Sequence, residues 1–220
     1  MIKIEKADVF GFESAIRGMR NPMNSWDKSD SGYFPVQTPP CNDISIEYVV
    51  GEADLKLMKS LSKAGYDHGK FLRMINVTLD ITAPLYWWKE FDTYKVGTVA
   101  NSCSTMHKIH VKEFTYDDFS CEHIGNVPNF DPAYEQAMEF IIMTLNEARH
   151  CYLETKDKRY WYQMIQLLPS SYNQKRTVQL NYQVLKSMYF ARKDHKLDCW
   201  RTFCSWIETL PYFREICLED

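Results

Sequence analysis

Hydrophobic and polar positions change their period several times along this chain, and each change marks an element. From Met1 to Phe10, Ile2 and Ile4 alternate with Lys3 and Glu5, a period of two that predicts a short strand. Phe12 to Met19 follows as one or two helical turns, with Arg17 and Arg20 at its end. Asn21 to Pro40 is rich in Asn, Ser, Asp, Gly and Pro and predicts a loop. A loop of that length is either a solvated excursion or a functional lid, in which case Arg17, Arg20, Asn24 and Ser25 are its ligand groups. Ile44 to Val50 is a β-branched run and predicts a strand; Glu52 to Lys63 then places Leu55, Met58 and Leu61 at helical spacing. Gly65 stands where a C-cap glycine belongs.

Met74 to Ile81 alternates again, with Ile75, Val77, Leu79 and Ile81 on one face. Thr82 ahead of Ala83 and Pro84 predicts a helix start, and the helix is expected over Pro84 to Tyr94. A small polar run from Thr98 to Thr105 follows as a turn, and Lys112 to Asn129 has too little period for a regular element. Asp131 before Pro132 opens the longest helical pattern, with Ala137, Phe140, Ile141, Leu145, Ala148 and Tyr152 on one side. Arg159 to Leu167 predicts a further helix that ends at Leu168-Pro169, and Tyr172 to Gln179 reads as loop or strand. Asn181 opens a helix carrying Leu185, Met188, Tyr189, Arg192 and His195 along one surface. The last helix has a stripe of Leu197, Trp200, Cys204, Ile207 and Leu210 and stops at Pro211. No repeat or linker divides the pattern, so residues 1–220 are expected to form a single α+β domain with a small antiparallel sheet and long helices.

Composition narrows the class. Hydrophobic residues at 45% and aromatics at 15% belong to a folded chain with a real core. A net charge of −3 lacks the basic excess of a nucleic-acid binder, so no nucleic-acid partner is expected. No apolar run approaches the roughly 20 residues of a membrane span, and the N-terminus lacks a signal-peptide pattern, so a cytoplasmic protein without membrane partners is expected. Seven scattered cysteines without a CxxC pair or zinc spacing read as reduced thiols, and no metal is expected.

The candidate chemistry gathers between Ile81 and Lys108, where Trp87, Trp88, Phe91 and Tyr94 mix with Lys89, Glu90, Asp92 and Lys95. That mixture suits one face in the core and one facing a polar ligand. Trp87 and Trp88 are either core or a stacking surface. Glu90 is either a carboxylate of raised pKa or half of an ion pair with Lys89 or Lys95. Cys103 is a nucleophilic thiolate near Lys95 or an inert thiol. Arg192 falls on the apolar surface of its helix, so it must meet a carboxylate, Asp198 or Glu90, or a ligand anion. Asn181 is a helix cap or a ligand contact. His68 and His107 lie near the stretch in sequence, as surface or capping residues or as a base.

The order strand, A-P-L-Y-W-W, aromatic helix, polar run, long helix, L-P, then N-x10-R and a final helix resembles the flavin-dependent thymidylate synthases. Laying Pro84 on the family proline puts Lys89, Glu90 and Phe91 on its Arg-Gln-aromatic triplet and Thr93, Tyr94 and Lys95 on its R-H-R signature. The motif serine then falls on Cys103, or on Ser104 with one inserted residue. Leu168-Pro169, Asn181 and Arg192 match the family L-P, asparagine and arginine without a gap, and Ala15-Ile16-Arg17 resembles an early A-x-R.

The resemblance implies a fold, an activity and a site. The implied reaction is reductive one-carbon transfer to deoxyuridylate or a related pyrimidine nucleotide, with FAD as cofactor and NADPH and methylenetetrahydrofolate as co-substrates. The alternative it leaves open is a nucleotide-binding protein of altered specificity, or without catalysis, that keeps the fold without flavin. Arg192 is the catalytic, nucleotide-orienting residue, and Glu90, Cys103, Ser104 and Thr105 join it at the substrate. Thr93, Tyr94, Lys95, Asn181 and Gln183 fall at the cofactor, and a homotetramer is the implied assembly. Several positions depart from the family. Only Lys95 keeps a charge within R-H-R, the arginine four residues before the L-P proline is Ile165, the N-x-R arginine is Gln183, a later glutamine is Asp198, and the glycine-histidine element is Gly65-Tyr66. Each charged hydrogen bond lost contributes on the order of 1.5–3 kcal/mol. Arg17, Arg20, Lys70, Arg73 and Lys89 border the implied site and are the residues that could compensate.

Overall fold

The structure is a computed structural model that describes residues 2–38, 43–125 and 131–219. Expectations at Met1, Pro39, Pro40 and Cys41, and over 126–129, lie outside these residues. In chain order the elements are β1 (Lys3–Phe10), α1 (Phe12–Arg20), β2 (Gly32–Thr38), β3 (Asp43–Val49), α2 (Glu52–Lys63), β4 (Asn76–Pro84), α3 (Leu85–Phe91), β5 (Val99–Ser102), α4 (Ala133–Thr155), α5 (Lys158–Leu167), β6 (Asn173–Asn181), α6 (Tyr182–Arg192) and α7 (Asp198–Ile207). Four strands form a small antiparallel sheet in the order β1-β4-β6-β5, and β2 pairs with β3 in a separate ribbon. The α+β class read from the sequence is the class observed. Two compact units share the chain: one of Met1–Glu5, Asp80–Thr93 and Ala100–Thr177, the other of Lys6–Leu79, Tyr94–Val99 and Val178–Asp220.

In the second of these units, the apolar faces of α6 and α7 supply Leu185, Met188, Trp200, Phe203 and Ile207, all fully buried beside Ile75, Val77 and Leu79 of the strand region. Gly11 joins β1 to α1 at φ 100, and a Cβ there would collide with the Met74 carbonyl oxygen, so the turn requires glycine twice over. Helix α2 ends at Ala64, with Gly65 at φ 100 just past it, as the sequence predicts. Helix α6 ends at Arg192, so His195 stands beyond it, and α7 ends at Ile207, before Leu210.

The Asn21–Pro40 stretch is not the loop its composition suggests. Gly32–Thr38 is a strand whose register sets Tyr33 opposite Tyr48 and Pro35 opposite Ile46. Residues before it are tied to α1 and α2 through Asp54, which is fully buried. Its Oδ1 accepts from Arg20 Nε at 2.6 Å, and its Oδ2 from Ser29 Oγ at 2.6 Å, Ser31 Oγ at 2.7 Å and the Asp30 and Ser31 amides at 3.2 Å. Arg20 in turn donates to the carbonyls of Ser25 at 3.1 Å and Lys28 at 3.0 Å. Helix α2 has no capping side chain on Gly51; Asp30 supplies one, accepting from the Ala53 amide at 2.8 Å and the Asp54 amide at 3.0 Å. Arg20 and Ser25 are therefore structural partners rather than ligand groups of a lid.

In the other unit, α4 and α5 pack Met138, Leu145, Ala148 and Met164 with Ile109, Phe114 and Phe119 into one apolar cluster. Asp131 opens the α4 region, its Oδ1 accepting from the Ala133 amide at 2.9 Å. Of the Tyr172 to Gln179 stretch, Asn173 onward lies in strand β6, in which Gln174, Val178 and Leu180 are buried, and Tyr172 just before it bridges to Phe119. Boundaries here differ from the sequence expectation: α3 ends at Phe91, with Tyr94 beyond it. Strand β4 runs through Thr82 to Pro84, and α3 starts only at Leu85, because its first free amides are taken by distant carbonyls: Leu85 N–H donates to Tyr172 and Tyr86 N–H to Ser170, both at 3.0 Å. Part of the small polar run is strand β5 beside β6, not a turn.

Removing one partner from a buried pair leaves the other charge unpaired, at a cost of about 3–5 kcal/mol. Asp54→Asn is expected to lower urea-unfolding stability by that amount. Burial pushes the Asp54 carboxyl up, and the Ser29 and Ser31 hydroxyls with Arg20 outweigh it, holding the group below its ordinary 3.8. A lowered folded pKa adds stability that is present above 3.8 and lost as pH falls through the lower folded value. The acid limb of the stability–pH curve should therefore be shallower in the variant; identical limbs would rule out this role.

Candidate functional site

Residues assigned to the site from the sequence fall in both units. In the unit that holds α6, the residue that closes that helix is Arg192. Its Nε donates to the Tyr94 hydroxyl at 3.0 Å, and its guanidinium lies 5.0 Å from the Trp200 ring centroid. Tyr94 and Trp200 meet edge to face at 6.1 Å. Trp200 is buried while Arg192 and Tyr94 are half-buried, so the cation is oriented by aromatic surface and still reaches the exterior. Such contacts are worth about 0.5–2 kcal/mol. An arginine fixed in this way presents a planar donor fork suited to phosphate or to a pyrimidine carbonyl edge.

The 94–98 turn lies along the start of α6. Thr98 Oγ donates to the Tyr94 carbonyl, and Gly97 stands at φ 82, where an added Cβ would lie 3.1 Å from Asn181 Nδ2 and 3.0 Å from Val184. Asn181 is the N-cap of α6, its Oδ1 accepting from the Val184 amide at 3.1 Å. Tyr94 thus meets Arg192 at the end of α6 and Gly97 meets Asn181 at its start, with the length of the helix, about 16 Å, between Asn181 and Arg192. Gln183, half-buried at the second position of α6, has its Oε1 3.7 Å from where a Cβ on Gly69 would stand, and Lys95 is exposed. A cleft of about 440 Å³ in this unit is lined by Met19, Met23, Asp67, His68, Lys70 and Phe71 among others. Arg73 lies over the Tyr66 ring at 4.0 Å.

The other unit carries Glu90, Thr93 and Cys103 to Thr105. Thr93 Oγ donates to the Glu90 carbonyl at 2.7 Å, closing the end of α3. Cys103 is exposed and its backbone is pinned to β6: its amide donates to the Lys175 carbonyl at 2.9 Å, and its carbonyl accepts from Gln174 Nε2 at 2.8 Å. Ser104 Oγ accepts from the His107 amide at 2.8 Å, and Thr105 is half-buried. Trp87 and Trp88 are core residues, buried at 0% and 1% exposure, with Trp88 Nε1 donating to the Gln174 carbonyl at 2.9 Å.

The charged set on β6 had almost no local signal in the chain. Arg176 pairs with Asp92 at 2.7 Å, lies 4.2 Å above the Trp88 ring and donates from Nε to Gln174 Oε1 at 2.9 Å. Lys175 reaches Asp80 at 3.0 Å and Glu5 at 3.8 Å, and its hydrogen bond to Asp80 holds the ammonium above its usual pKa. Thr177 Oγ donates to the same Asp80 at 2.6 Å. The one available signal was the adjacent pair Lys175-Arg176 on a segment that read equally as loop or strand. Among the described residues, no group of three or more metal-ligating side chains comes together, and no helix is long and apolar enough to cross a membrane.

No family sequence model matches the chain, and no curated protein matches it in sequence. Solved structures do match its fold. Thymidylate synthase X from Helicobacter pylori, crystallised with FAD and dUMP, superposes with a TM-score of 0.68 at 14% identity, over 100% of this chain and 98% of that one. A second structure of the Helicobacter pylori enzyme with FAD and dUMP gives 0.66 at 13%, over 99% and 98%. The UMP/dUMP methylase PolB from Streptomyces cacaoi, bound with 5-Br dUMP, gives 0.57 at 13%, over 95% and 89%. The chain is thus an α+β protein built on the fold of the flavin-dependent thymidylate synthases. At these identities the likeness is one of backbone, and a divergent version of that fold fits the substitutions in the signature.

Thiol exposure follows the packing. Burial pushes the Cys204 thiol up to about 11 and the Cys217 thiol up to about 12, and Cys199 is buried as well. A thiol reagent at neutral pH is expected to label Cys103 before any of these three, as read by peptide mass spectrometry. Early labelling of Cys204 or Cys217 would contradict the packing of α7 and the C-terminal turn.

Proposed function

We propose that this chain binds a pyrimidine nucleotide monophosphate, with Arg192 as the residue that orients it, and acts on the pyrimidine ring. The observation that carries this reading is the guanidinium of Arg192, fixed by Tyr94 and Trp200 on a backbone shared with structures that hold dUMP. Charge-assisted hydrogen bonds from a preset fork give both affinity and register. The resemblance implies Glu90 and Cys103 to Thr105 as further substrate contacts; Cys103 and Ser104 are exposed and Thr105 is half-buried. The reaction is then reductive one-carbon transfer to deoxyuridylate or a related nucleotide, drawing its one-carbon unit from a folate and its reducing power through a flavin. Assembly into a homotetramer goes with this reading.

The residues assigned to the flavin do not fit it well on this chain. Thr93 and Asn181 spend their side-chain oxygens on helix ends, Tyr94 accepts from Arg192, and Lys95 is the one cation among the five. A dinucleotide pyrophosphate needs matched charge and donors, and a single exposed lysine is a hydrated point charge. That observation favours a second reading, in which the chain binds a nucleotide of altered identity without flavin. In both readings Arg192 is the nucleotide contact.

Calorimetric titration with dUMP tests the shared part. Arg192→Leu is expected to weaken binding at least about tenfold, the loss of one charged hydrogen bond. Unchanged affinity, or no binding by the wild-type chain, overturns the proposal. Visible absorbance after incubation with FAD and desalting separates the two readings: flavin retained near one per chain supports the oxidoreductase, and dUMP binding without flavin supports the second.

A further inference from the structure

A second cleft, of about 330 Å³, lies where α4 and α5 meet the 106–110 segment, and of the candidate functional residues singled out from the sequence only His107 lines it. Its walls are aromatic: Tyr152, Trp161 and Tyr162. Its polar groups are His107, His110 and Lys158, and no carboxylate lines it. The nearest carboxylates along these helices are already engaged, Asp157 by Arg159 at 2.6 Å and Glu154 by His150 at 3.1 Å. The volume is that of a small-ligand pocket, and flat apolar walls with a few convergent polar groups are what such pockets share.

The cleft is built rather than incidental. Trp161 Nε1 donates to the Met106 carbonyl at 2.8 Å, and Arg149 Nε donates to the His110 carbonyl at 2.9 Å, which together fix the segment against both helices. The His110 ring meets Tyr152 edge to face at 5.0 Å. Its Nδ1 has no hydrogen-bond partner among the described residues and is closed to solvent, so the fold leaves that nitrogen unused and a ligand reaches it when the ring turns toward the cleft. Native folds rarely leave such an atom idle. Lys158 is exposed in the first turn of α5, where the helix dipole adds to its positive field.

We propose that this cleft is a binding site for a small aromatic anion: one flat ring that stacks among Tyr152, Trp161 and Tyr162, carrying a phosphate or carboxylate that meets Lys158 and the two histidines. The site is independent of Arg192 and of the nucleotide reading. Phenyl phosphate is the probe. Calorimetry on the full chain should show binding, with inorganic phosphate and benzyl alcohol each at least tenfold weaker, because each keeps half of the recognition. The indole N–H resonance of Trp161, assigned by Trp161→Phe, should shift on titration. Lys158→Met and His110→Phe should each weaken phenyl phosphate at least tenfold while Arg192→Leu leaves it unchanged. Should His110→Phe fail to fold, Lys158→Met, a change at an exposed position, decides alone. Equal affinity in wild type and Lys158→Met, loss of binding in Arg192→Leu, or no binding to the wild-type chain overturns the proposal.

Discussion

The carboxylate of Asp54 is the constraint on which the unit carrying α1, α2 and α6 depends. It is fully buried, and an isolated ionised carboxylate in that position would be prohibitive. Five donors remove the difficulty, one from Arg20 and four from the segment Ser29 to Ser31. Those same donors take a stretch of Asn, Ser, Asp and Gly residues, which would otherwise have no reason to be ordered, and fasten it to two helices. The ribbon of β2 and β3 then starts from a fixed point, and the open N-terminus of α2 receives its cap from Asp30. A buried pair of this kind adds little over an apolar pair of the same size, but no single member can be removed cheaply.

A different economy operates at Arg192. The resemblance sets Tyr94 on the histidine of the R-H-R signature, and on this chain the Tyr94 hydroxyl holds Arg192. The Tyr94 side chain thus supports the arginine, and the Asn181 amide oxygen is fixed on the Val184 amide. Preorganisation of one arginine by two aromatics lowers the entropy lost on binding an anion, which offsets in part the charges missing from the signature.

Much of the fold was legible in the chain. Helices α2, α4, α5 and α6 and strands β1, β3 and β4 follow from apolar periodicity, and Gly65 and Asn181 mark their ends as local rules require. At the candidate site the contact of Arg192 with Tyr94 was not legible, since 98 residues separate the two; the sequence offers Asp198, Glu90 or a ligand anion as partners of Arg192. Arg20 was misread as a ligand group because its partner Asp54 lies 34 residues away and carries no local signal. Thr82 was misread as a cap because the carbonyls of Ser170 and Tyr172 satisfy the start of α3 instead.

The division has a physical cause. Sequence by itself determined what short-range sterics and periodic burial determine: which segments are helix or strand, which faces are apolar, where glycine must stand, and the order of elements that gives the resemblance. Tertiary structure alone decided which charges are spent on the fold and which stay available, because a polar side chain takes its role from a partner brought up by distant chain. Asp54, Arg176 and Tyr94 acquire their functions only when the 29–31 segment, α3 and α6, respectively, arrive beside them, and nothing in the residues next to them in the chain encodes that arrival.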